Sequence, residues 1–478
     1  CAETSLELIP ELDLKLPTGS TVRPDGTLKD ALRQDWGYWE SKDQYDDLDT
    51  EIANKLGLGY PSTNILFEDS LTAVLVQNGI EVARASFDDA LALHALLTSF
   101  VHYEPPRVHN FRDAIERFRE DLPGLLEVLR DVIESEAQTN AAFRQARDEF
   151  LTMCQKSINP HLVMADVREM IIQHILTQDI FVTVFENAQF HRENNIAHVL
   201  YALIDTFYTG ELRYNVERRL DAYVKVIKAA AAEIANHHEK QRFLKAVYEQ
   251  FYRAYNPAGA DRLGIVYTPN EIVHFMVDAA DHLVHQHFRR FLADPDVEIL
   301  DPATGTGTFI TEIIEHLPTH RLPEKYEHEI HCNEVAILPY YTANLNIEYT
   351  YAQKMGHYKP FENICFVDTL DNLGFAYEHK QFDMFAVSAE NLERIRRQNE
   401  RKISVIIGNP PYNANQLNEN ENNKNREYEG VDARIKDTYI KHSTAQKTKL
   451  YDMYTRFLRW ASDRLAENGV IAFVSNNS

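Results

Sequence analysis

Apolar positions along the chain follow three successive patterns. Between residues 19 and 100, the short runs 36–42 (WGYWESK), 63–69 (TNILFED) and 72–77 (TAVLVQ) predict strands, and Leu48, Ile52 and Leu56 within 46–57 recur at helical spacing. Pro105-Pro106 marks a boundary. From 111 to about 256 the spacing is helical almost throughout, as in Phe111, Ile115 and Phe118, Leu125, Leu129 and Val132, or Phe243, Val247 and Phe251. These stripes read as the core of a helical spacer, and Asn256-Pro257-Ala258-Gly259 ends it. Beyond 264, apolar strands at 297–300, 329–333, 403–407 and 469–474 alternate with helical stretches, the pattern of a doubly wound α/β domain. The expectation is a multidomain α/β protein: a small α/β unit over 1–105, an all-α connector over 106–262 and a second α/β domain over 263–478. The segment 417–449, rich in Asn, Lys and Glu, predicts a mobile loop.

Composition narrows the setting. A chain of 478 residues, 44% hydrophobic and 26% charged, is ordinary for a globular protein. No apolar run reaches the ~18–20 residues of a membrane span, and no leader peptide is visible. Cys1, Cys154, Cys332 and Cys365 are scattered without a CxxC, which suits the reducing cytoplasm. The chain has no initiator Met and stops in the apolar strand that ends at Ser475-Asn476-Asn477-Ser478, so it reads as a segment of a longer protein. A net charge of −24 excludes a uniformly basic nucleic-acid binder. Any phosphate contact must come from local patches or from a missing basic part. One such patch is Arg434, Lys436, Lys441, Lys447 and Lys449. His282, His285 and His287, like His237-His238, form no HExxH and read as surface. No GxxxxGK[ST] supports ATP-driven translocation.

Candidate chemistry concentrates after residue 264. Val297 to Leu300 is a strand that runs into the turn Asp301-Pro302-Ala303-Thr304-Gly305-Thr306-Gly307, where Gly305 and Gly307 permit positive φ and close backbone approach. A nucleotide-like cofactor sits against such a turn at the carboxyl edge of the sheet. Glu334 ends the next strand, where a carboxylate can accept both ribose hydroxyls. Asp368 follows a third apolar stretch, where it can accept from an adenine amino group. Then comes Asn409-Pro410-Pro411-Tyr412, a tetrapeptide expected by accident in about one such chain per thousand. An exocyclic adenine nitrogen is a poor nucleophile because its lone pair is delocalised into the ring. Accepting its two N–H protons at the Asn409 side-chain oxygen and the Pro410 carbonyl favours a pyramidal nitrogen facing a methyl sulfonium. Pro411 fixes the turn, and Tyr412 offers a face on which a base flipped out of duplex DNA can stack.

Residues 264–478 resemble the Rossmann-like N6-adenine methyltransferase domain of single-chain restriction-modification enzymes, the type IIG and type ISP groups, in the gamma order of motifs. In that resemblance Tyr267-Thr268-Pro269 matches the segment that closes over S-adenosylmethionine, and Asp301, Ala303, Gly305, Gly307, Glu334 and Asp368 line its site. Leu450 to Tyr454 and Gly469 to Ser475 resemble the later helix and strand, and 111–256 resembles the coupler. The resemblance implies a target-recognition domain after the methyltransferase, and the expectation is that residues 1–478 do not contain it.

In the first unit, Arg23-Pro24-Asp25-Gly26 followed by Glu40-Ser41-Lys42 resembles a PD-(D/E)xK nuclease site. The resemblance implies Mg²⁺ on Asp25 and Glu40, with Lys42 orienting the attacking water. Asp30 is a rival for the first ligand. The function expected is adenine-N6 methylation plus cleavage of unmodified double-stranded DNA. The alternatives are a phage-defence methyltransferase, working with separate partners, whose nuclease-like domain is inactive, and a non-enzymatic DNA-binding scaffold with a relic pocket.

Overall fold

The computed structural model describes residues 6–475 apart from 17–18, 159, 186–193, 235–238, 241, 244–245, 248–249, 252–254, 256–267, 376–388, 412–426 and 442–451, with backbone alone over 179–185. The chain divides into two compact units, Cys1–Leu125 with Tyr214–Tyr255, and Leu126–Arg213 with Asn256–Ser478. Among the described residues, no helix is long and apolar enough to cross a membrane.

In the first unit β1 (Glu7–Pro10), β4 (Gly26–Lys29), β5 (Asp35–Ser41), β6 (Asn64–Glu68), β7 (Thr72–Gln77) and β8 (Ile80–Ser86) form one sheet in that order, and β2 (Leu14–Lys15) pairs with β3 (Thr21–Val22). The β5–β6 pair is parallel, because α1 (Leu48–Gly57) returns the chain between them, whereas the other neighbours are antiparallel. Side chains alternate across the sheet. Ile65, Phe67, Val74 and Val76 pack with Leu48 of α1, while Leu66, Ala73 and Leu75 pack with Leu96 and Phe100 of α2 (Ala90–His102). Asp47 and Asp89 cap the two helices by accepting backbone amides. Gly37 is required where β5 meets α2: a Cβ there would lie 2.8 Å from the Phe100 ring.

Helices α3 (Pro106–Thr139), α4 (Ala141–Ser157), α5 (Met164–Phe185), α6 (Asn195–Ile204) and α7 (Gly210–Ala232) follow. Within the first unit, Phe118 of α3 stacks on Tyr223 of α7 at 4.2 Å and lies 5.8 Å from Phe251, so the apolar stripes of the sequence are core.

The second unit holds α8 (Asn270–Phe288), β9 (Glu298–Asp301), α9 (Thr308–His316), β10 (Ile330–Glu334), α10 (Ile337–Met355), β11 (Ile364–Phe366), α11 (Ala389–Asn399), β12 (Ile403–Gly408), α12 (Glu429–Ile435), α13 (Met453–Arg464) and β13 (Leu465–Phe473). Its sheet is parallel, in the order β11-β10-β9-β12-β13. The chain winds outward from β9 to β11, then returns to the other side of β9, so the strand order reverses between β9 and β12. Ligands of open α/β sheets bind at that reversal, beyond the strand carboxyl ends. Leu300 pairs with Ile406, which brings the turns after Asp301 and Gly408 to one edge.

Buried polar contacts join α5 and α6 to α10 within this unit. His174 of α5 lies 3.1 Å from the Tyr341 hydroxyl, and the Tyr340 hydroxyl donates to Asn195 Oδ1 at 2.6 Å. The described part of 417–449 corrects the mobile-loop expectation. Residues 427–441 form α12 and a π-helical turn, Lys436–Ile440, whose Tyr428, Val431, Ile435 and Ile440 are buried against Ile403, Ile406, Phe457 and Trp460. Residues 417–426 and 442–449 lie outside the described residues.

Candidate functional site

The turn after β9 is held by its own backbone polar groups. Asp301 is fully buried, and its Oδ1 accepts the Ala303 amide at 3.1 Å. Thr304 N–H donates to the Asn333 carbonyl at 2.9 Å, and Gly307 N–H to the Thr304 carbonyl at 2.9 Å. Gly305 and Gly307 have φ of +56° and +88°. A Cβ on Gly307 would also lie 3.2 Å from the Ala343 backbone, so a side chain here is strained by both conformation and space.

Glu334 closes the turn from the next strand. Its Oε2 accepts the Gly305 amide at 2.9 Å, and Oε1 accepts those of Val335 and Ala336 at 2.9 and 2.8 Å. A carboxylate offers about four acceptor directions, which leaves one for a ligand hydroxyl while this network stands. Burial pushes both carboxyls up to about 7, against the pull of the Ala303 amide on Asp301 and of the Ala336, Gly305 and Val335 amides on Glu334. Asp368 Oδ1 accepts the Leu370 amide at 3.0 Å, and its Oδ2 accepts the Tyr428 hydroxyl at 3.0 Å.

Asn409 follows β12, and its Nδ2 donates to Thr268 Oγ1 at 2.9 Å. Its Oδ1 is buried without a hydrogen-bond partner among the described atoms, as is Asp301 Oδ2. Buried oxygens of this kind cost stability unless a ligand or water satisfies them. Together with the glycine cradle they fit a polar adenosine-type cofactor and an amino substrate. Thr268, Asp301, Ala303, Gly305, Gly307, Glu334, Asp368, Asn409 and Pro410 are thus gathered at one sheet edge, with Pro269 opening α8 and Pro411 following Pro410. Tyr267 and Tyr412 lie outside the described residues. Sequence reasoning missed the Thr268–Asn409 and Tyr428–Asp368 contacts, for which no spacing rule exists.

In the first unit Asp25 precedes β4, and its Oδ2 accepts the Ser41 amide at 2.8 Å, beside Glu40 on β5. Glu40 is buried. Lys42 Nζ donates to its Oε1 at 2.6 Å, Lys55 of α1 pairs with the same oxygen, and Oε2 has no partner among the described atoms. Burial lowers the Lys55 pKa, but hydrogen bonds to Glu40 and Tyr60 more than compensate and hold it above the usual lysine value. Lys55 was not singled out by the sequence. Asp30 faces elsewhere: it accepts the Leu32 and Gln34 amides at 2.9 and 2.8 Å and pairs with Arg112 at 3.1 Å. Among the described residues, no group of three or more His, Cys, Asp or Glu side chains is arranged to hold a metal ion. Within the Asp25–Glu40 pair, Glu40 Oε2 is a buried oxygen without a partner among the described atoms, the kind of donor that a hard cation takes.

The doubly wound sheet, the glycine turn after β9 and Asn409-Pro410-Pro411 after β12 together make the edge of a nucleotide-binding α/β domain. The N-6 DNA Methylase family model matches residues 239–478, and the coupler-domain model of Type ISP restriction-modification enzymes matches 115–239; the chain belongs to the N-6 DNA methylase family and contains a Type ISP coupler.

Solved structures resemble it, among them the following three. The chain is 59% identical to DrdV, solved by cryo-electron microscopy as a DNA complex, over 99% of this chain and 46% of that one, with a TM-score of 0.72. It is 31% identical to a nuclease-deletion mutant of the Type ISP restriction-modification enzyme LlaGI in complex with a DNA substrate mimic, over 76% of this chain and 30% of that one, with a TM-score of 0.68. It is 30% identical to the ATP-dependent Type ISP enzyme LlaBIII bound to DNA, over 81% and 26%, with a TM-score of 0.70. The chain therefore spans less than half the length of each of these three proteins. No curated protein matches it.

Proposed function

We propose that the protein is a restriction-modification enzyme that methylates adenine N6 in double-stranded DNA and cleaves unmodified DNA through its N-terminal unit. The observation behind the methylation is the Asn409 amide. Thr268 fixes its nitrogen end, which leaves the buried Oδ1 as an acceptor without a partner among the described atoms at the edge where the cofactor turn ends. S-adenosylmethionine, bound against Asp301–Gly307, supplies an electrophilic methyl on a sulfonium. Asn409 Oδ1 and the Pro410 carbonyl accept the two amino protons of a flipped adenine and favour a pyramidal nitrogen whose lone pair faces that methyl. Glu334 and Asp368 take the ribose and the adenine amino group of the cofactor.

For cleavage, Asp25 and Glu40 would hold Mg²⁺, which supplies Lewis-acid activation of water, and Lys42 would orient that water. The restriction reading rests on the likeness to DNA-bound Type ISP enzymes. The test is Asn409→Ala in the whole protein. Methyl transfer to N6 of adenine is expected to vanish while S-adenosylhomocysteine still binds within about threefold. Methylated cytosine in the wild-type product would refute the assignment.

A further inference from the structure

The Asp368 carboxylate is tied to a residue that lies downstream of the Asn-Pro-Pro-Tyr tetrapeptide. Tyr428 is buried at 7% exposure, and its hydroxyl donates to Asp368 Oδ2 at 3.0 Å. Several contacts hold the ring. Arg456 lies over it at 5.2 Å, the Tyr428 amide donates to Asp432 Oδ2 at 3.1 Å, and Arg456, itself buried, grips both oxygens of Asp432 at 2.8 and 2.9 Å. The α13 helix that bears Arg456 is fastened in turn, since the Trp460 indole N–H donates to the Asn372 carbonyl at 3.0 Å. On its other side Asp368 Oδ1 accepts the Leu370 amide, so both oxygens are oriented before any ligand arrives.

We propose that Tyr428 is a positioning residue for cofactor recognition. Its hydroxyl helps to fix the rotamer of Asp368, so that the carboxylate faces the 6-amino group of the cofactor adenine. The Leu370 amide holds Oδ1 and the Tyr428 hydroxyl holds Oδ2, so the amino group meets a pre-organised acceptor. Tyr428 also leads directly into α12, so the start of that helix is tied to Asp368. The inference rests on the reading that Asp368 accepts the adenine amino group.

The test compares S-adenosylhomocysteine with its 6-deamino analogue, whose purine has hydrogen in place of the amino group, by calorimetric titration of the whole protein. The wild type is expected to prefer the amino form by about tenfold or more, as a buried hydrogen bond to a charged acceptor implies. Tyr428→Phe is expected to cut that preference about fivefold and to change affinity for the deamino analogue less than twofold. Asp368→Asn combined with Tyr428→Phe should be no worse than Asp368→Asn alone, because the tyrosine acts through the carboxylate. Equal loss of both ligands in Tyr428→Phe, or additive losses in the double variant, would mean a merely structural tyrosine and overturn the proposal. A wild type that discriminates and a Tyr428→Phe that discriminates equally would overturn it while leaving the Asp368 reading intact. No discrimination by the wild type would refute that reading and the inference with it.

Discussion

Gly408 runs so close to Asp301 that a Cβ added to it would lie 2.5 Å from the Asp301 Oδ1. Asp301 is fully buried and bound to the Ala303 amide, so it has nowhere to move. Gly408→Ala should therefore destabilise the protein by about 1–3 kcal/mol, as overpacking does. It should also weaken S-adenosylhomocysteine binding, because the turn and the catalytic edge are displaced together. Thermal melting and ligand titration check this; an unchanged melting temperature would show that the turn yields.

The two buried carboxyls set a pH dependence. Asp301 and Glu334 have folded-state values of about 7, above the usual values near 4 for such groups. A raised folded value means that their contribution to stability is fully present below about pH 4 and lost as pH rises through about 7. Between about pH 4 and 7 the ligand-free wild type should lose stability through these groups, and Asp301→Asn or Glu334→Gln should flatten the slope of melting temperature against pH there. Cofactor affinity should run the other way. It should fall below pH 7, by up to about tenfold per unit for each group that must be ionised to accept a ligand hydrogen bond. Slopes identical in wild type and variants would show that neither carboxyl titrates in this range.

At the first unit's site, Glu40→Gln and Lys42→Ala should each slow Mg²⁺-dependent cleavage by about 10²-fold or more and spare methylation. Asp25→Ala should do the same, since Asp25 sits against the Ser41 amide beside Glu40. Asp30→Ala should instead cost about 1–3 kcal/mol of stability, because two backbone amides and Arg112 lose their acceptor. A cleavage assay beside a denaturant melt separates the two roles, and full cleavage by Glu40→Gln would remove the nuclease assignment.

Cations of the segment after the tetrapeptide should differ in their effect on DNA binding. Arg434 is paired with Asp463 at 2.7 Å, whereas Lys436 and Lys441 are exposed on the π-helical turn and just after it. Lys436→Gln with Lys441→Gln should lower DNA affinity and reduce the slope of log K against log salt by roughly 0.9 for each phosphate that is no longer neutralised. Arg434→Gln should do less. Equal slopes for all variants would exclude this face from the DNA interface.

Much of the methyltransferase edge was legible because strong local signals coincide there. Ile299-Leu300 and Ile403 to Ile407 are apolar strands that stop at residues able to do chemistry, and β9 and β12 lie side by side in the sheet. Within 417–449, only residues 427–441 are described, and they depart from the mobile loop that their polar composition predicts. Val431, Ile435 and Ile440 nonetheless recur at helical and π-helical intervals and pack on the sheet. In the first unit β8 and α2 were passed over. The strand has exposed residues at most positions and shows no clean period, whereas α2 carries Leu93, Leu96, Leu97 and Phe100 at helical spacing, a signal that the sequence does hold. Contacts between residues far apart in sequence, such as Tyr428 with Asp368 or Lys55 with Glu40, have no signature in a single chain.

The two turns that make the methyltransferase edge end different strands and are joined by the β9–β12 ladder. The peptide that links β11 to β12 is not what sets their spacing. That link can then lengthen at little thermodynamic cost, since closure entropy grows only with the logarithm of loop length, and the distance from Asp301 to Asn409 stays fixed by the rungs. Insertion there is a tolerated form of change, whereas a single residue added within β9 or β12 turns every side chain beyond it to the opposite face and separates cofactor from substrate.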